Sequence, residues 1–209
     1  MTALVIAVCV QWVLLAVLCV GLVVLLRQVG MLHERLGPVG ALTLPGGPKA
    51  GDAAPQMAVR AMDGRTVTVG GAHAAGRSTL LFFLSPTCSV CKTLIPVVKG
   101  IAHEERETLD VVLASDGDEP LQQRMVSEQG LAAFPLLLST DLGLAYHVSK
   151  LPYAVLIAPD GTVAAKGLVN NREHLESLFE ARRQGVASLQ QYLNRERAIP
   201  EGIETRTVA

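Results

Sequence analysis

Residues Ser78–Lys92 read STLLFFLSPTCSVCK. The first seven form a nearly continuous apolar run, which predicts a central β-strand covered on both faces. From Ser89 to about Arg106 the text turns helix-like, with Pro96 inside it to kink the helix or end its first part. Cys88 therefore stands where a buried strand stops and a helix starts. A thiol there faces unsatisfied backbone N–H groups and the positive end of the helix dipole, and both favour the thiolate. Lys92 adds a cation nearby. Cys91, three residues on, shares a face with Cys88, so the two sulfurs can bond without rearranging the backbone. Cys91 is then placed to resolve a mixed disulfide formed at Cys88.

Other readings of the pair are weaker. A structural zinc site needs four ligands, and no second Cys pair or close Cys/His pair follows. His73, His103, His147 and His174 are scattered along the chain. A copper-delivering domain would want a histidine beside the thiols, and only His147 could serve, if the fold brought it there. A structural disulfide across so small a loop would constrain the unfolded chain little. The residues favour a redox pair, with no metal and no cofactor beyond that pair.

Outward from this core, Arg65–Val69 reads as a short strand, Leu109–Ser115 as a second buried strand and Glu119–Gln129 as a helix ended by Gly130. FPLLLS (134–139), a helical turn over 142–147 and the strand Tyr153–Ala158 follow. Pro159-Asp160-Gly161 turns the chain into a returning strand, TVAAKGLV. Asn170 with Glu173 fits the start of a last helix, REHLESLFEARR. This alternation predicts an α/β fold: a mixed sheet flanked by helices.

The 209 residues carry a formal net charge of -1, with no basic stripe to track phosphates, so nucleic acid is not an expected partner. Ala3–Leu26 is a run of 24 residues without a charge. As a helix it would reach about 36 Å, against roughly 30 Å of hydrocarbon, and neither a basic start nor a small-x-small cleavage site accompanies it. The expectation is one uncleaved transmembrane helix. Cys9 and Cys19 lie inside it and read as small apolar residues. The expected organisation is an anchor and juxtamembrane helix over 1–36, a Gly/Pro-rich linker over 37–51, the α/β domain over 52–195 and a tail over 196–209. Arg27 and Arg35 after the span, partly offset by Glu34, would by the positive-inside rule hold the domain in the cytoplasm.

Several motifs carry a family resemblance. FFLSPTCSVCKTLIPVV resembles the thioredoxin active site, a strand followed by Cys-x-x-Cys-Lys and a proline five residues later, here Pro96. GDAAPQMAVRAMDGRTVTVGG looks like the entry to membrane-tethered thioredoxins of the TlpA and peroxiredoxin-like groups. KLPYAVLIAPDGTV resembles the second thioredoxin landmark, which implies a cis peptide before Pro152 and makes Leu151 the residue whose backbone pairs with an extended substrate. With LLRQVGMLHERLGPVGAL and EHLESLFEARRQGVASLQQYL, the chain is similar to the MauD family, accessory proteins of methylamine dehydrogenase maturation.

That resemblance implies disulfide formation or rearrangement in the small (beta) subunit of the dehydrogenase. Such work belongs to an oxidising compartment, so the expected placement is the bacterial inner membrane with the domain in the periplasm, against the two-arginine bias. Alternatives are a reductant for apocytochrome c or another periplasmic client, and a non-catalytic binding or copper-delivery chaperone. Two departures narrow the reading. Thr87 replaces the usual Trp before the first cysteine, and Phe82 and Leu94 are apolar where thioredoxins often keep a buried acid beneath the second. Both point to a partner-specific catalyst. A peroxidase is disfavoured, since Ser85 fits its Thr/Ser position but Leu81 stands where its proline belongs.

Overall fold

The structure, a computed structural model, describes residues 6, 9–12, 14–23, 25, 41–42 and 46–183. Two compact units divide at Pro38. In the first, residues 14–23 are helical, and their large apolar side chains stand exposed. Among the described residues no helix is long and apolar enough to cross a membrane. The juxtamembrane stretch, parts of the linker and everything after Arg183 lie outside the described residues.

The second unit is built on β3 (Ser78–Phe83). Leu80, Leu81, Phe82 and Phe83 are all buried, alternating between two apolar clusters, so the strand must lie inside the sheet. Around it run β4 (Leu109–Ser115), β5 (Leu136–Leu138), β6 (Tyr153–Ile157) and β7 (Val163–Leu168), in the order β5-β4-β3-β6-β7. β4 lies parallel to β3 (Leu80 opposite Val111), and β6 antiparallel (Phe82 opposite Ala154), so the sheet is mixed as expected. On one face pack α1 (Ser89–Glu104), α2 (Glu119–Gln129) and α4 (Arg172–Arg183), through Leu94, Val98, Met125, Leu175 and Leu178. The other face is covered by α3 (Thr140–Ala145) and a separate hairpin, β1 (Met57–Arg60) with β2 (Thr66–Val69).

Several details differ from the sequence reading. Strand β1 was not expected. It has four residues, and only its pairing with β2 makes it a strand. β5 keeps three residues of FPLLLS. Pro96 neither ends nor splits α1, which runs on to Glu104. The last helix is capped one residue later than expected: Asn171 Oδ1 accepts from the His174 N–H at 2.9 Å, while Asn170 has no such bond. Gly130 ends α2 in the left-handed region (φ 61°), as its position predicts.

The described parts of the 37–51 stretch are bound to the sheet edge. Leu42 exchanges two backbone hydrogen bonds with Leu168 on β7, at 3.1 and 2.9 Å. Ala41 N–H donates to Ser177 Oγ at 2.9 Å, and the Gly51 N–H donates to Val163 O at 2.8 Å. Lys166 Nζ donates to Gly46 O. Gly167 permits this approach, because a Cβ there would lie 2.7 Å from Ala41 Cβ. The segment thereby covers the open edge of β7.

Candidate active site

The end of β3 leads into a tight turn. Ser85 Oγ lies 3.0 Å from Thr87 Oγ1, the Thr87 N–H reaches Ser85 Oγ at 3.4 Å, and the Cys88 N–H donates to Ser85 O at 3.1 Å. In sequence Ser85 matches only the Thr/Ser position of a peroxidase pocket. Its role here is to hold the turn that delivers Cys88 to the helix, and the signal for it was the Ser-Pro-Thr spacing. Thr87 is exposed.

Cys88 is the N-cap of α1, with extended backbone (φ -85°, ψ 111°), and its Sγ accepts from the Cys91 N–H at 3.1 Å. Cys88 and Cys91 are joined in a disulfide, with Cα atoms 5.2 Å apart. The two sulfurs differ in surroundings. Cys88 is half-buried at the surface, whereas Cys91 is 0 % exposed within the apolar cluster that holds Phe82 and Leu94. An incoming thiolate can reach only Cys88. Among the described residues no acid is buried beneath the leaving sulfur, Cys91, and its apolar surroundings oppose its charge.

Lys92 is exposed, and its ammonium makes no hydrogen bond or ion pair among the described residues. Pro96 is exposed two turns into α1. The Leu151–Pro152 bond is cis, as the resemblance implied. Pro152 is buried and Leu151 is 36 % exposed at the start of β6, whose Tyr153 pairs with Phe83 of β3. β3 and β6 therefore bring the cysteine turn and the Leu151–Pro152 turn to the same end of the sheet. His147 sits in the left-handed region (φ 53°) against Gly46, and among the described residues no group of three or more His, Cys, Asp or Glu side chains could hold a metal ion.

Fold and site together define a thiol–disulfide oxidoreductase: residues 49–181 match the redoxin family, and the chain belongs to it. The thioredoxin domain of a thiol-disulfide oxidoreductase from Bacteroides vulgatus shares the fold, with a TM-score of 0.53 at 18% identity, over 63% of this chain and 96% of that one. Within the redoxins the chain belongs to the MauD family. It is 47% identical over 178 residues to the methylamine utilization protein MauD of Methylorubrum extorquens, covering 85% of this chain and 84% of that protein. The Paracoccus denitrificans MauD is 47% identical over 169 residues, covering 81% and 84% respectively.

Proposed function

We propose that this chain is a membrane-anchored catalyst of disulfide formation or rearrangement that acts, through Cys88, on the small subunit of methylamine dehydrogenase in the periplasm. The unequal exposure of the two sulfurs carries the chemical part of this reading. A client thiolate attacks Cys88 Sγ, a mixed disulfide forms, and Cys91 leaves and takes up a proton. A second client thiolate then attacks its own half of the mixed disulfide and releases Cys88. The client gains one disulfide, and two electrons and two protons pass to the pair. In rearrangement, the reduced Cys88 thiolate attacks a client disulfide first. Another client thiolate then attacks the client sulfur of the adduct, which forms the new client disulfide and releases Cys88 with no net transfer of electrons. Attack by Cys91 instead releases the client as a dithiol and re-forms the Cys88–Cys91 disulfide.

Leu151 and Pro152 form the docking edge. The methylamine utilization named in its relatives supports the client assignment. Helical residues such as Leu14, Val17, Leu18 and Val20 expose apolar side chains, which supports an anchor in lipid. Compartment is tested by a membrane-impermeant maleimide on intact cells after mild reduction. Labelling of Cys88 is expected, and labelling only after lysis would overturn the periplasmic placement. Client and chemistry are tested together by complementation: Cys88→Ser is expected to leave methylamine dehydrogenase inactive, its small subunit lacking native disulfides. Normal enzyme in that strain would overturn the reading.

A further inference from the structure

At the end of the sheet that carries the cysteine turn, the ends of β3 and β4, helix α3 and the 148–151 loop line a half-open cavity of about 260 Å³. Phe83, Ala114, Leu144, Val148 and Leu151 give it apolar walls, Gly143 opens one side, and polar side chains, Asp116 and Lys150 among them, complete the lining. Leu144 is 68% exposed and Leu151 36%, so apolar surface stands open to solvent next to the docking turn. The size is selective. Ligand pockets usually occupy about 300–1,000 Å³, whereas a cavity of about 150 Å³ already admits a benzene ring. This one suits a single large side chain better than a whole small molecule.

Two lining residues tie the cavity to the exchange site. Leu84 lines it and also belongs to the buried cluster around Cys91. Leu151 lines it and precedes the cis bond to Pro152. A client strand lying along Leu151 with its sulfur at Cys88 advances about 3.3 Å per residue and turns alternate side chains to one face. A neighbour of its cysteine therefore comes within reach of the cavity.

We infer that this cavity is a specificity pocket for one aromatic or large aliphatic side chain of the client, carried within about three residues of the cysteine that meets Cys88. The inference rests on the disulfide-exchange reading above. Burying such a side chain favours binding by about tenfold or more.

The test uses reduced full-length protein in detergent and synthetic peptide homodisulfides with one cysteine per peptide strand. Each turnover oxidises the Cys88/Cys91 dithiol and releases two peptide thiols. Phe is placed in turn at the three positions on either side of the cysteine in an otherwise Gly/Ser peptide. At least one Phe peptide is expected to react about tenfold faster than the all-Ser peptide. Gly143→Leu should bring that preference below threefold, since a Cβ at Gly143 meets no atom within 4 Å and the side chain can enter the cavity without a clash. Leu144→Ser, at an exposed position, should weaken the preference without a folding defect. Hydroxyethyl disulfide, too small to use the pocket, should react equally with all three proteins. No Phe position favoured by more than threefold, or a preference untouched by both variants, would overturn the pocket. No reaction with hydroxyethyl disulfide would overturn the exchange reading itself, and the pocket's role with it.

Discussion

Presenting each thiol of the reduced protein alone, as Cys88 in Cys91→Ser and Cys91 in Cys88→Ser, measures how unequal the pair is. Cys9 and Cys19 are replaced by Ala in both, so that only the site reacts. Cys88 is reachable as it stands. Cys91 is 0 % exposed, and the first turn of α1 must open before a reagent meets it. Opening breaks the Cys91 N–H bond to residue 88, which serine as N-cap retains, and the Lys92 N–H bond to the residue 88 carbonyl at 3.3 Å. Each costs about 1 kcal/mol, and uncovering the small apolar side chain costs about 1 kcal/mol more. A total of about 3 kcal/mol makes the open form roughly one part in 150. The helix terminus favours the Cys88 thiolate and apolar burial disfavours that of Cys91, which widens the gap. Iodoacetamide at neutral pH, followed by mass spectrometry, should therefore modify Cys88 faster than Cys91 by at least about 150-fold. Rates within threefold of each other would refute the assigned order of attack.

Gly167→Val should force the 41–42 segment off β7. The added Cβ would lie 2.7 Å from Ala41 Cβ and 3.1 Å from the Ala41 carbonyl carbon, and three hydrogen bonds of about 1 kcal/mol each would be lost. A fall of about 3 kcal/mol in urea unfolding is expected despite valine's preference for strands, and unchanged stability would show the segment undocked. Tyr153 is deeply buried, and burial raises its phenol to about 12 from the usual 10. Its folded value being the higher, its contribution is fully present below pH 10 and lost as pH climbs toward 12. Tyr153→Phe should flatten the decline of stability across that window, and an unaltered slope would assign the decline elsewhere.

Much of this architecture is written locally. A strand of consecutive large apolar residues ending in Ser-Pro-Thr-Cys announces both the sheet's centre and the thiol at its end. Gly130 marks its helix terminus, and Pro159-Asp160-Gly161 its hairpin, because each needs only its own backbone geometry. What stayed hidden depends on distant partners. Residues 41–42 and 46–51 have the Gly and Pro content of a loose linker, yet their bonds go to Val163, Lys166, Leu168 and Ser177, more than a hundred positions away. Strand β1 gains its identity from β2. The cavity beside Leu151 is assembled from the ends of separate elements, so no single stretch of sequence encodes it. Exposure divides Cys88 from Cys91 for the same reason: position in the motif gives their spacing, while the packing of Phe82 and Leu94 determines which one is hidden.

The central claim is that client cysteines are engaged through Cys88. It is tested most directly by expressing Cys91→Ser during growth on methylamine, quenching with acid and isolating mixed disulfides. The account predicts an adduct between Cys88 and the small subunit of methylamine dehydrogenase that dithiothreitol releases, with little or none from Cys88→Ser. Adducts absent from Cys91→Ser, or formed as readily through Cys91, would contradict it.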